Sequence, residues 1–235
     1  MKKIALTLLV TTLGVNSLNA ADKTQEFITH TELGYVQTNG NTDTKTFNLD
    51  SKIERTWGKH VGSATIDAQY AKSDDVTSKK KYDLESEYNY KINSKLSFTY
   101  LVGYKYDAFS GLDYQLYTGP GAKYNVLSNL SVEAGILYSE DNYETADTED
   151  YAAYRLKSDY NNKIAENLKF TQMLELKGSF DETDNYFVTS KSAFTSKISD
   201  KFSAGVSYKV DYVNTPVSGK ENTDTTLSLN LIMDY

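Results

Sequence analysis

The chain has 235 residues, a formal net charge of −7, no cysteine, two prolines and 20 tyrosines. The lack of cysteine rules out a disulfide framework, a thiol nucleophile and a cysteine-bound metal, and the acidic balance offers nucleic acid no electrostatic footing. A mean hydropathy of −0.54 and the lack of any apolar run of ~20 residues exclude a helical membrane protein.

Met1 to Lys3 is basic, Ile4 to Val15 is apolar, and Asn16 to Ala20 is short and polar. That order predicts a secretory signal peptide cleaved after Ala20. It divides the chain into a signal peptide at 1–20 and one domain at 21–235. The apolar run is too short to span a bilayer; a buried amino-terminal helix is the other reading.

Twelve segments with period-two alternation follow, each bounded by turn residues. The first carries Phe27, Thr29, Thr31, Leu33 and Tyr35 on one face and His30, Glu32 and Gly34 on the other. The second sets Phe47, Leu49, Ser51 and Ile53 against Asn48, Asp50, Lys52 and Glu54. The third sets Ala64, Ile66, Ala68 and Tyr70 against Thr65, Asp67 and Gln69. In the fourth, Tyr82, Leu84, Ser86, Tyr88, Tyr90 and Ile92 oppose Asp83, Glu85, Glu87, Asn89 and Lys91. Apolar series continue through Leu96 to Tyr106, Tyr114 to Val126, Leu130 to Tyr138, Ala152 to Tyr160, Leu168 to Leu176, Tyr186 to Ile198 and Phe202 to Tyr212. The last segment alternates Leu227, Leu229, Leu231, Met233 and Tyr235, with Ser228, Asn230 and Asp234 on the other face. An apolar strand ending on an aromatic carboxy-terminus looks like the signal read by the machinery that assembles outer-membrane barrels.

Links after even segments are short: Trp57 to His60, Asn93 to Ser94, Leu127 to Asn129 and Ser199 to Lys201, with a longer one from Asn161 to Asn167. Links after odd segments are larger and more polar, at Lys72 to Lys79, Glu140 to Asp150 and Asn214 to Asn222. An even strand count, short turns at one end and longer loops at the other are traits of bacterial outer-membrane barrels. The expected fold is all-β, a transmembrane antiparallel up-and-down β-barrel of about 12 strands. A soluble sandwich or lipocalin-like barrel also alternates, with its apolar face inward. The signal peptide, the aromatic last strand and tyrosines near strand ends favour lipid on the apolar face. Gly119-Pro120-Gly121 interrupts the sixth segment, where a bulge or kink is expected; a ligand brought close to bare backbone is the alternative.

Gly34 to Asp43, reading Gly-Tyr-Val-Gln-Thr-Asn-Gly-Asn-Thr-Asp, resembles the opening motif of the salt-induced outer-membrane proteins, a family built on a domain of unknown function, DUF481. Asp107 to Tyr114 and the glycine-flanked Gly119 to Tyr124 stretch resemble its central motif. The resemblance covers nearly all of the chain after residue 20. It implies an outer-membrane barrel and brings no catalytic residues.

With lipid on the apolar face, the polar face encloses the lumen. Segments two to four bring in an acidic wall of Asp50, Glu54, Asp67, Asp83, Glu85 and Glu87; segments eight to ten bring in a basic wall of Arg155, Lys157, Lys169, Lys177, Lys191 and Lys197. In a closed ring of twelve, the second lies across from the eighth, the third from the ninth and the fourth from the tenth, so the walls face each other. A water-filled pore built this way has a transverse field that orients polar or zwitterionic solutes. The alternative is an interior plugged by ion pairs. A narrow or gated passage for small polar solutes is the expected function, with a surface receptor or adhesin and an outer-membrane lipid hydrolase as competitors.

Histidine-dependent hydrolysis needs a base within hydrogen-bond reach of its nucleophile. His60 falls in a turn at the periplasmic end and His30 early on the first segment, neither of them placed to activate a serine at the outer rim. His30 beside Glu32 reads as a satisfied lumen residue or as a metal or proton site. No catalytic residue, cofactor or metal is assigned. Glu140, Asp141, Glu144, Asp147, Glu149 and Asp150 form a solvated acidic loop or a divalent-cation site, and Asp74 and Asp75 read the same way. The expected partners are outer-membrane lipids and lipopolysaccharide, with the barrel-assembly machinery and periplasmic chaperones acting during biogenesis, and no nucleic acid.

Overall fold

Period-two alternation becomes twelve strands: β1 Phe27–Thr38, β2 Thr44–Trp57, β3 His60–Ser73, β4 Val76–Lys91, β5 Leu96–Asp107, β6 Leu112–Leu127, β7 Leu130–Tyr143, β8 Glu149–Ala165, β9 Leu168–Ser179, β10 Tyr186–Lys197, β11 Phe202–Val213 and β12 Thr223–Asp234. The structure is a computed structural model describing residues 27–38, 44–108, 112–143, 147–217, 219 and 221–234. The expected signal peptide at 1–20 lies outside them. Each strand pairs antiparallel with its neighbours in sequence, and β1 pairs with β12 to close the barrel. Closure leaves no edge strand to template aggregation. Among the described residues the closing seam pairs five positions, His30↔Asp234 to Gly34↔Asn230.

The apolar face points outward throughout. Leu84, Val102, Leu116, Ile136, Leu156 and Leu174 are exposed there, which in water would be a severe liability and in hydrocarbon is none. Aromatic pairs flank this band on both sides. Toward the loops stand Tyr82–Tyr106 at 5.9 Å between centroids, Tyr154–Phe180 at 5.5 Å and Tyr186–Tyr212 at 6.0 Å. Toward the short turns stand Trp57–His60 at 5.9 Å, His60–Tyr90 at 5.3 Å and Phe170–Phe194 at 4.9 Å. Tyr82 and Tyr90 are eight residues apart on β4, which at ~3.3 Å per residue and a tilt of ~40° separates the girdles by ~20 Å. Leu227, Leu229, Leu231 and Met233 belong to the exposed outer face of β12, while Tyr235 lies outside the described residues.

Several strands outrun their alternation. β4 begins at Val76, so the larger link expected from Lys72 to Lys79 shrinks to Asp74-Asp75, with φ of 48° and 61°. Two successive left-handed residues make the hairpin turn that matches strand twist, and aspartate tolerates it. β7 runs to Tyr143 and β8 starts at Glu149, pairing Glu140 with Asp150 and Asp141 with Glu149. The expected acidic loop is therefore largely strand, and its Glu144 lies outside the described residues. β8 continues to Ala165, leaving Glu166-Asn167 where a longer link was expected. Beyond the hydrocarbon both faces of a strand are polar, so pairing continues where alternation fades.

Pro120 causes no bulge. Thr118↔Tyr138 and Gly121↔Gly135 keep one register, with Gly119 and Pro120 left out of the β7 ladder between them. A Cβ at Gly119 would fall 2.0 Å from the Ile136 carbonyl oxygen. Glycine thus lets β7 come close where proline has no N–H to donate. The register shifts of this pair occur nearer the strand ends, between Leu112 and Tyr114 and between Asn125 and Leu127.

Candidate functional site

The inward faces meet in a lumen whose charges are ordered by cross-strand pairing. Glu32, Asp50, Asp67 and Asp83 stand directly opposite one another on β1 to β4, a ladder of four carboxylates on adjacent strands. Like charges so placed destabilise a sheet unless cations answer them. Lys191 and Lys209, themselves opposite on β10 and β11, do so from across the lumen. Lys191 Nζ is 2.7 Å from Asp50 Oδ2 and 3.2 Å from Glu32 Oε2, and Lys209 Nζ is 2.8 Å from Asp67 Oδ2. Asn230 Nδ2 donates to Glu32 Oε2 at 2.8 Å. Toward the loop end, Lys81 Nζ reaches Asp211 Oδ2 at 2.7 Å, and Thr189 Oγ1 donates to Asp211 Oδ1 at 2.9 Å.

On β5 to β9 the interior is packed. Gly103 faces Tyr117 across the β5–β6 ladder, and a Cβ on it would lie 2.1 Å from the Tyr117 ring. Glycine therefore lets the ring lie flat over β5, which carries the hydroxyl to β4. There it donates to Glu85 Oε1 at 2.7 Å and approaches Asp83 Oδ1 at 3.2 Å. Lys177 Nζ covers the other face, 3.8 Å from the ring centroid, a cation–π contact. Leu101, Leu137 and Ala153 complete a buried apolar cluster with Tyr117. Beside it, Arg155 donates from Nε to Glu175 Oε2 at 2.7 Å and from Nη1 to Glu133. Gln115 Nε2 and Tyr151 Oη donate to Asp141 at 2.7 and 3.0 Å.

Among the described residues two sizeable chambers open in the lumen. The larger, about 570 Å³, opens among the short turns and is lined by Asp50, Asp67, Asp83, Glu85, Glu87, Lys157, Lys177 and Lys191, among others. The smaller, about 400 Å³, lies under the loops with Lys79, Asp107, Asp141 and Asp224 in its wall. Lys105, Gln115, Phe187 and Asp211 line both.

The expected wall residues separate into three groups. Those just named border the larger chamber, whereas Arg155 sits in the packed half, 1% exposed. Glu54 pairs with Lys52 of its own strand at 2.8 Å. Lys197 bonds Asp200 at 2.8 Å in the β10–β11 turn, where its ammonium holds that exposed carboxyl below its usual range. Lys169 lies near the same end, in the second position of β9. The expected opposition of walls needs correction: β1 and β2 close on β10, and β3 and β4 close on β11, along chords rather than diameters. Lys209, Asp211, Lys81, Tyr117 and Lys105 did not figure in the sequence reading of the lumen. Inward parity on β4, β5, β6 and β11 was the signal available for them.

His30 has both ring nitrogens occupied by carboxylates, Nδ1 with Asp234 Oδ1 at 2.6 Å and Nε2 with Glu32 Oε1 at 3.0 Å. His60 opens β3 on the outer face, its Nδ1 2.7 Å from the Tyr88 hydroxyl. Among the described residues no three of His, Cys, Asp and Glu gather as a metal-ligand set.

The sequence profile of the family described as a protein of unknown function, DUF481, matches residues 31–235. The chain belongs to that family. No curated protein matches this DUF481 chain in sequence. Among solved structures, the NanC porin is similar at a TM-score of 0.53 and 10% identity, with 88% of this chain and 98% of that one covered. An outer-membrane channel from Pseudomonas putida F1 is similar at 0.51 and 10% identity, over 92% and 97% of the two chains. At such identities the likeness is one of fold, the closed antiparallel barrel of outer-membrane porins.

Proposed function

We propose that this DUF481 protein is an outer-membrane channel that passes small polar solutes through a lumen gated by its own side chains. The carrying observation is the pair of chambers that abut at Lys105, Gln115, Phe187 and Asp211, with side chains as the partition between them. Side chains can swing aside on sub-microsecond timescales, whereas a folded plug domain cannot. On this reading the short turns are periplasmic and the loops external. The outer face meets lipid and lipopolysaccharide, and the barrel-assembly machinery and chaperones deliver the chain. The apolar series of β12 serves as its assembly signal. Charges of both signs line the path, so selectivity between simple cations and anions is weak.

Reconstitution in planar bilayers tests this. Small, flickering conductance steps are expected, together with slow liposome swelling in small polar solutes and none in larger sugars. Complete silence across salt, voltage and pH would refute the channel and leave a barrel plugged by ion pairs.

A further inference from the structure

Around the place where the two chambers meet, two lysines are committed and a third is not. Lys81 is held by Asp211 at 2.7 Å and Lys209 by Asp67 at 2.8 Å. Lys105 lines both chambers, yet among the described residues no hydrogen bond or ion pair holds its ammonium. It faces the Phe187 ring across the lumen, 6.0 Å from the centroid. Asp83, its register partner on β4, forms no ion pair with it and has the Tyr117 hydroxyl, donated to Glu85, 3.2 Å away.

We propose that Lys105 is a recognition site for the carboxylate of a small solute at the junction of the chambers, a reading that rests on the channel proposed above. An ammonium offers three donors and no acceptor, and a carboxylate entering from either chamber meets them unspent. Phe187 supplies an apolar surface for the body of the solute. A monoanion fits better than a dianionic phosphate, because Asp83 and Asp211 are close enough to repel a second negative charge. Lysine also suits passage better than arginine. It binds as a point charge rather than a bidentate fork, and a conducting site must release what it binds.

The test uses the full barrel in detergent micelles and saturation-transfer NMR with two isosteric probes, benzoate and benzamide, against protein-free micelles. Native protein is expected to bind benzoate at least tenfold more tightly than benzamide, the size of one charge-assisted hydrogen bond (~1.5–3 kcal/mol). Lys105→Met removes the discrimination; Lys95→Met, in the β4–β5 turn, leaves it intact. Should Lys105→Met fail to fold, Lys105→Gln replaces it, and Lys105→Arg must keep the preference. Equal binding of the two probes by native protein, or discrimination surviving in Lys105→Met, overturns the proposal. Saturation transfer needs no permeation. Benzoate bound by a barrel silent in bilayers refutes the channel and keeps the site, whereas conductance without discrimination refutes the site alone.

Discussion

Replacing Arg155 by methionine measures whether the lumen is dry at the level of the packed cluster. Arg155 is 1% exposed, and its carboxylate partners Glu133 and Glu175 are 7% and 8% exposed. Removing one member of a buried ion pair costs ~3–5 kcal/mol, because the other charge stays buried without compensation. An exposed pair costs only ~0–1 kcal/mol. The two carboxylates are not equally stranded. Glu175 Oε1 keeps Lys177 Nζ at 3.3 Å, whereas Arg155 is the ion-pair partner of Glu133. Most of the penalty therefore falls on Glu133, and Glu133→Gln added to Arg155→Met should restore ~2 kcal/mol of it, the cost of an unsatisfied buried group. Equilibrium urea unfolding of the refolded barrel in lipid vesicles, followed by far-ultraviolet circular dichroism, gives both numbers. A loss below ~1 kcal/mol for Arg155→Met, or no recovery in the double variant, would mean that water reaches these groups and that the packed cluster is no partition.

The double variant Lys191→Met with Lys209→Met leaves the Glu32–Asp50–Asp67–Asp83 ladder without its cross-lumen cations. Conductance should rise, and the reversal potential under a KCl gradient should move toward that of potassium. An unchanged potential would place the ladder off the conduction path. Tyr117→Phe removes the hydroxyl that bonds Glu85 at 2.7 Å, with an expected loss of ~1–3 kcal/mol in the same unfolding assay. Gly103→Ala should cost more than Tyr117→Phe, since its Cβ occupies ring space 2.1 Å from Tyr117. On the outer face, Leu156→Arg sets a charge in the apolar band and should destabilise the vesicle-embedded barrel by ~2–4 kcal/mol. A neutral result there would contradict lipid on that face.

Parity along a strand is local information, and it carries most of the fold. Phe27 to Tyr35 on β1 and Tyr82 to Tyr90 on β4 alternate as the structure has them, and all twelve strands were visible from that rule. Strand ends were less legible, because Val76 to Lys79 on β4 read as loop once lipid no longer imposes an apolar partner on alternate positions. The lumen depends on something parity does not carry. Rows of paired residues run perpendicular to strands that are themselves tilted, so strand number around the ring does not tell which charges share a height. The Lys191–Lys209 rung consequently meets the ladder rising through β1 to β3, not the strands diametrically opposite. Tyr117 makes the same point. Its inward parity was available from Leu116 and Tyr114, but its function needs a glycine opposite on β5 and a carboxylate beyond that on β4. For Lys105 parity says only that it enters the lumen. That no ion pair holds it follows from the pairing, which gives Asp211 to Lys81 and sets the Tyr117 hydroxyl, donated to Glu85, beside Asp83. Carboxylate recognition at the junction is thus a property of register, and a single substitution at Lys81 that released Asp211 to Lys105 would abolish it without touching Lys105.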